Sequence, residues 1–209
     1  MDDYENLLSG NRIFINRTTD VAKLSKETAL ALGATGPTLR ASGVDFDIRR
    51  DMPYSGYEKF QFKVPVGTGG DVWTRYLLRV QEMRESLSIA KQALDGMPSG
   101  PIKADSPKVI LPDREKMKTQ MEALIYHFKI VTEGFTVPAG EVYHAVESPR
   151  GEMGYYVVSD GTAKPYRVHM RSPSFVNLQL LESMCVGELL ADVVAAIGSI
   201  DIVLGEIDR

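Results

Sequence analysis

Apolar positions recur at three- and four-residue spacing over two stretches and at two-residue spacing over a third, and these periods predict the elements. From Val72 to about Leu94, Trp73, Leu77, Val80, Leu87 and Leu94 fall on one helical face, which also carries Arg84 and Lys91. Arg75, Arg79, Glu82 and Glu85 lie off this face or at its margin. Asp71 is placed to cap the helix, and Asp95, Gly96 and Pro98 end it. A second helix is expected from Pro112 and Asp113, with Met117, Met121, Leu124, Ile125 and Phe128 in one stripe and Glu133 and Gly134 at its end. Two such helices, each with a single apolar stripe, are expected to pack antiparallel. The period then changes. Glu141–Glu147, Met153–Ser159 and Pro165–Met170 alternate as strands, with turns at Ser148–Gly151 and at Asp160 and Gly161, and predict a three-stranded antiparallel meander. Shorter helices are expected over residues 1–16 (Tyr4, Leu7, Leu8), from a Ser25 cap to Leu32, from a Ser174 cap at Phe175, and over Glu188–Ile197. The fold class is α+β, mainly α. Its order is a loop-rich lead-in (1–71), an antiparallel helix pair (72–132), a β-meander (140–171) and C-terminal helices with a tail (174–209).

Three segments stand outside this periodicity. Residues 36–60 are loop-like and dense in Gly, Pro, Arg, Asp and Tyr. So long a segment is either functional or a self-neutralised network of surface ion pairs. Gly67–Asp71 superficially suggests a phosphate loop, but it lacks the lysine and the βαβ setting, and a tight turn is the better reading. The last nine residues, Asp201–Arg209, mix apolar side chains that ask for burial with Asp201, Glu206, Asp208 and Arg209, which need partners. They form either a last helical turn with a solvated fringe or a terminus tucked inside with its charges aimed at a site.

Composition narrows the function. The net charge of −4 gives no electrostatic case for nucleic acid. No apolar run reaches the roughly 20 residues of a membrane span. The acidic N-terminus is neither a signal nor a transit peptide. The single cysteine, Cys185, forms no internal disulfide and no cysteine metal cage, so a reducing cytoplasm is the default compartment. His127, His144 and His169 are scattered, and no nucleophile elbow is present. On these features alone the chain is an α+β domain without a redox centre of its own.

Three groups of motifs go further. The first is Ala34–Val44, continuing through Asp47–Arg50 to Pro53–Tyr57; the second is Val64–Asp71 with Glu82–Ser86. The third is Glu147–Gly154 with Val158–Gly161, Arg171–Phe175 and the tail from Gly198. Together they closely resemble the D-type, large quinone-site subunit of NADH:quinone oxidoreductase, respiratory complex I, over the C-terminal half of that family. The family is in turn similar to the large subunit of nickel–iron hydrogenases, which implies a hydrogenase-large-subunit-like helix bundle with a small antiparallel meander. Hydrogenases end near D-P-C-x-x-C-x-x-H. Laid on that pattern, Asp201 matches the aspartate, Val203 the first cysteine, Glu206 the second and Arg209 the histidine. Valine and a protonated arginine ligate no metal. The metal site is therefore lost, and its cavity is expected to remain. Pro149-Arg150-Gly151 and Ser172-Pro173-Ser174 resemble the segments that hold the iron's diatomic ligands in hydrogenases.

The resemblance implies a quinone headgroup in the emptied cavity. Asp201 is the candidate catalytic carboxylate, orienting or proton-linked. Pro149, Arg150, Ser172, Pro173, Ser174, Val203, Glu206 and Arg209 are candidate quinone-binding residues, with Arg150 and Arg209 holding charge balance. It further implies that this chain binds no cofactor of its own, quinone being the substrate. A [4Fe–4S] cluster sits on a small iron–sulfur partner subunit, NAD is bound elsewhere in the complex, and reduction is coupled to proton translocation. The implied partners also include a membrane subunit forming the quinone channel, and the implied location is peripheral, on the cytoplasmic face of the cell inner membrane. The family's front half, with its quinone-gripping histidine and tyrosine, has no counterpart here. The chain is then expected to expose apolar surface, to dimerise or bind that missing N-terminal half, and to be inactive alone. A truncated non-catalytic scaffold or excised domain is the alternative, and a working hydrogenase is disfavoured by the absent cysteines.

Overall fold

The computed structural model describes residues 2–104, 106 and 108–208. It divides into two compact units. The first contains the chain up to Gly96, His144–Gly154 and everything from Met170; the second contains Met97–Tyr143 and Tyr155–His169.

The first unit opens on α1 (Asp2–Tyr4), which runs into a π-helical turn (Glu5–Ser9). Four short helices follow, α2 (Arg12–Thr18), α3 (Lys26–Ala31), α4 (Gly36–Ala41) and α5 (Ile48–Asp51). Side-chain oxygens start three of them. Asn11 accepts the Ile13 and Phe14 amides, Ser25 accepts that of Thr28, and Asp47 accepts that of Arg49. The stretch 36–60, expected as loop, is thus partly helical.

Helix α6 (Val72–Asp95) is the long element, and Asp71 caps it as expected. One Asp71 oxygen accepts the Thr74 amide at 2.8 Å, and the other accepts the Asp20 amide at 2.8 Å, where Asp20 sits at φ 61°. Burial would raise the Asp71 carboxyl, but the bonds from Thr74 and Asp20 outweigh it and hold it below 3.8. A depressed acid stabilises the fold above its unfolded value and loses that contribution as pH falls through the folded one. Asp71→Ala is therefore expected to cost about 1–2 kcal/mol near pH 7. In denaturant unfolding the difference from wild type should shrink as the pH falls below 3.8.

The buried face of α6 is not the expected one. Val72, Arg75, Leu78 and Val80 are buried, while Leu87 and Leu94 of the predicted stripe are more than half exposed. Arg75 accounts for the rotation. Its guanidinium is fully buried and donates to Ser199 Oγ at 2.9 Å, Gly70 O at 2.7 Å and Ala22 O at 2.9 Å. Burial among neutral acceptors pushes it down to about 10, so it still carries its charge at neutral pH. A residue that reads as surface is thus the post that ties α6 to the lead-in and to the last long helix.

The second unit holds α7 (Arg114–Thr119) and α8 (Met121–Thr132). The continuous helix expected from Pro112 is broken at Gln120, which is extended at φ −124° and ψ 118°. Met117 is the single apolar residue of α7, too little to carry a helix face across the junction. The stripe expected as core is open in this unit, with Met121, Leu124, Ile125 and Phe128 all exposed and Ala123 the buried residue of α8. The two helices expected to pair, residues 72–95 and 121–132, belong to different units. The meander is present as β1 (Gly140–Ser148), β2 (Gly151–Ser159) and β3 (Arg167–Arg171), antiparallel and in that order.

The C-terminal helices return to the first unit: α9 (Pro173–Leu178), α10 (Leu180–Cys185), α11 (Leu190–Ile200) and α12 (Leu204–Asp208). Ser172, not Ser174, caps α9, because Pro173 occupies the first helical position, where no amide donor is needed. Leu180, Met184, Ala196 and Ile200 pack against Val21, Ala22, Leu24 and Leu39, so the two ends of the chain share one core. In the tail, Ile200 is buried and Ile202 packs on that core, whereas Val203 and Leu204 face solvent.

Candidate functional site

Within the first unit, a cavity of about 730 Å³ is lined by Arg40, Arg49, Tyr57, Arg79, Glu82, Met83, Ser86, Leu87, Glu147, Ser148, Pro149 and Asp201. Four segments distant in sequence build its walls: α4–α5, the middle of α6, the β1–β2 turn and the C-terminal end of α11.

The tail reaches the turn through Arg150. Its Nε donates to the Asp201 carbonyl at 2.8 Å and stands 3.7 Å from the Asp201 carboxylate. Asp201 follows α11 in the left-handed conformation, φ 59°, which aspartate tolerates better than most residues. The end of α11 is capped from α6 by Arg79, which donates to Ser199 O at 2.6 Å and Ile200 O at 3.1 Å. A cation at exposed C-terminal carbonyls matches the helix dipole. Burial depresses the Arg79 guanidinium, with Asp201 and Glu82 opposing that shift.

The opposite wall is a buried ion cluster around Arg40, which is 1% exposed. Arg40 meets Glu82 through Nε at 2.8 Å and Nη2 at 2.7 Å, Glu147 through Nη1 at 2.9 Å and Asp47 at 3.7 Å. Arg49 closes on Asp47 with two bonds, at 3.0 and 2.6 Å, and lays its guanidinium 5.2 Å from the Phe62 ring centre. Burial pulls Arg40 down, but Glu82, Glu147 and Asp47 outweigh it and raise it. Burial raises Glu82 and Glu147 more than Arg40 lowers them. The two readings of residues 36–60 thus divide. Arg50 with Asp45 and Asp51 is an exposed, self-neutralising pair network, while Arg40 and Arg49 line the cavity with Asp47 buried against them. Arg40, Arg49, Arg79 and Arg150 together balance Asp47, Glu82, Glu147 and Asp201.

Among the residues expected at the site, Pro149 and Asp201 line the cavity, and Arg150 joins them. Ser172, Pro173, Ser174 and Glu206 form an adjacent junction. Ser172, Pro173 and Ser174 are buried there, and the Ser174 hydroxyl donates to Glu206, whose other oxygen is buried without a partner. Asn177 of α9 links this junction to the turn by donating to Arg150 O at 3.2 Å. Val203 is 40% exposed and is not in the cavity lining. Arg209 lies outside the described residues. Arg40, Asp47, Arg49, Arg79, Glu82 and Glu147 were not among the expected site residues; the unusual Arg/Asp density of 36–60 was the available signal for the first three. Among the described residues no group of three or more His, Cys, Asp or Glu side chains is arranged to hold a metal ion. No described helix is long and apolar enough to cross a membrane.

The chain is mainly helical with a small antiparallel sheet, and its first unit carries a cavity whose charged groups come as arginine–carboxylate pairs. Similarity to known proteins gives the family. Residues 1–209 match the family model described as respiratory-chain NADH dehydrogenase, 49 Kd subunit. The chain is 77% identical over 209 residues to a D-type NADH-quinone oxidoreductase subunit of Koribacter versatilis, covering 100% of this chain and 52% of that protein. It is 64% identical over 209 residues to a D-type subunit of the same enzyme from Solibacter usitatus, covering 100% and 51%. It is 57% identical over 208 residues to the D-type subunit of Geobacter metallireducens, covering 100% and 53%. The chain belongs to the family of the 49 Kd subunit of respiratory-chain NADH dehydrogenase. It spans about half the length of the curated relatives it matches.

Proposed function

We propose that this chain forms part of the quinone-reduction site of an NADH:quinone oxidoreductase. In that complex, electrons from NADH pass through iron–sulfur clusters to a quinone, and the reduction is coupled to proton translocation. The cluster nearest the quinone belongs to a small partner subunit, NAD binds elsewhere in the complex, and a membrane subunit supplies the quinone channel. The complex stands at the cytoplasmic face of the inner membrane. The observation that carries this reading is the Arg150–Asp201 contact, which brings the Pro-Arg-Gly turn and the carboxyl end of the chain onto one cavity. A quinone ring needs an apolar slot with a few convergent polar groups. Met83, Leu87 and Pro149 supply the slot, and Arg79, Asp201 and Ser148 the polar groups.

Asp201→Asn in the assembled complex tests the assignment. Asparagine keeps the left-handed conformation and the carbonyl that Arg150 uses, and removes only the charge. Quinone reduction is expected to fall about tenfold, the rate equivalent of about 1.4 kcal/mol. Wild-type turnover with unchanged inhibitor affinity would dismiss the role.

One observation supports inactivity of the chain by itself, as a scaffold or part of a larger subunit. Leu87 and Leu94 on α6 and Leu190 and Val194 on α11 are all more than 60% exposed. Apolar surface of this kind on a redox subunit is the mark of a face that another polypeptide segment covers.

A further inference from the structure

We propose that Glu147 is the carboxyl group of this cavity that takes up and gives back a proton as the charge of the bound ligand changes. The inference rests on the quinone reading of the cavity.

Arg40 is shared unequally by two glutamates. Glu82 Oε1 accepts the Nε–H at 2.8 Å and stands 2.7 Å from Nη2, a two-nitrogen grip that opposes the upward pull of burial. Glu147 is held differently. Its Oε1 lies 2.9 Å from Arg40 Nη1, which also donates to Phe46 O at 3.1 Å, and that oxygen is buried without an aligned hydrogen bond. Its side chain is 5% exposed and meets solvent only through the cavity. Asp47 approaches the same Nη1, at 3.7 Å, and adds a repulsion that a protonated Glu147 escapes. Burial, the largest influence on Glu147, acts in the same direction.

The charged and titratable groups around Glu147 are Arg40 from α4, Asp47 and Arg49 at α5, and Glu82 from α6. Tyr54 accepts the Glu147 amide at 2.9 Å and stacks edge-on to His144. Arg79 and Asp201 complete the lining, with Arg150 against Asp201. These four arginines balance the four acids when every acid is ionised. Negative charge on a ligand therefore finds no spare cation, and a proton must enter. The weakest-held carboxylate is the group that accepts it. In the step itself the Glu147 O–H bond breaks and an O–H bond forms on the anionic oxygen of a quinone reduced by the partner's iron–sulfur cluster. Glu147 is left ionised beside Arg40 and recovers its proton from solvent.

The test is infrared difference spectroscopy of the assembled complex, titrated from pH 5 to 9 without quinone and then with it (a range of about two units on either side of neutrality). Wild type is expected to show a protonated-carboxyl carbonyl band that titrates in this range, and Glu147→Gln to lose it, while Glu82→Gln retains it. Glu147→Asp keeps a titratable group at the position and should show the band displaced. With quinone, Glu147→Gln should lose the alkaline limb of the rate profile and slow about tenfold at neutral pH. Persistence of the band in Glu147→Gln, or its absence from wild type, overturns the proposal. The band without quinone depends on Glu147 alone, whereas Asp201→Asn reports on the quinone reading, so the two failures are distinguishable.

Discussion

Arg40→Met is expected to destabilise the first unit by about 3–5 kcal/mol at neutral pH, the usual cost of removing one partner from a buried ion cluster. Arg40 is 1% exposed, and its charge is neutralised by Glu82, Glu147 and Asp47 rather than by solvent. Methionine fills the volume of the stem but leaves three carboxylates to Arg49, with Arg79 acting on Glu82 alone. Glu82 and Glu147 already sit above 4.5 in the fold, and loss of the arginine raises them further. An acid raised by folding weakens the fold as pH rises through its window, and the cost is absent once pH drops below the unfolded value. The deficit of Arg40→Met is therefore largest at pH 7 and above and shrinks toward pH 4.5. Urea unfolding at several pH values measures it. Arg40→Lys restores the charge but not the fork that bonds Glu82 through two nitrogens, so it should recover part of the loss. A pH-independent deficit would show that Arg40 acts through packing alone.

This cluster marks the limit of what the sequence discloses. The strands, the Asp71 cap and the Ser25 cap are local, and a period or a short motif announces each of them. The meeting of the Pro-Arg-Gly turn with the tail is not local, and it was reached only through the resemblance to a family whose motifs place both at one site. Arg40 and Glu82, 42 residues apart, each fall in a motif of that resemblance, but nothing in the sequence pairs them. No period predicts the pairing, and both residues read as surface charges. Arg75 misleads more strongly. Its charge suggests an exposed position, yet three neutral acceptors bury it and turn the helix face with it. The apolar stripe of α8 misleads in the opposite sense. Its spacing is that of a core helix, but Leu124, Ile125 and Phe128 are exposed. Periodicity reports that a face will be covered and does not say by which segment.

Gly36→Ala is expected to be the most damaging single-methyl substitution at the site. Gly36 begins α4 at φ +63°, and a Cβ there would lie 2.4 Å from Gly151 Cα and 2.7 Å from Gly151 N. The neighbour is backbone and cannot rotate away. Gly151 answers with the same constraint, since a Cβ on it at φ +137° would lie 2.5 Å from Thr35 Oγ1 and 3.0 Å from Thr35 C. Two glycines thus press the start of α4 against the β1–β2 turn, and Thr35 Oγ1 fastens the contact by accepting the Glu152 amide at 3.1 Å and an Arg171 N–H at 3.2 Å. An alanine in the left-handed region costs about 1–2 kcal/mol, and forcing a methyl into a packed contact about 1–3 kcal/mol more. Gly36→Ala should therefore lose about 2–5 kcal/mol in denaturant unfolding. The functional consequence depends on where the strain is relieved. The turn carries Pro149 and Arg150, so backing it away from α4 moves the cavity wall and disturbs the Arg150–Asp201 contact. In an assembled complex the variant should weaken inhibitor binding at the cavity even under conditions where it remains folded. Gly56→Ala serves as the control: its φ is also positive, at +88°, but an added Cβ there meets nothing within 4 Å. It should show the backbone cost without the change in binding. Equal effects at both positions would mean that α4 and the turn are not held by the glycine contact, and the cavity wall would need another support.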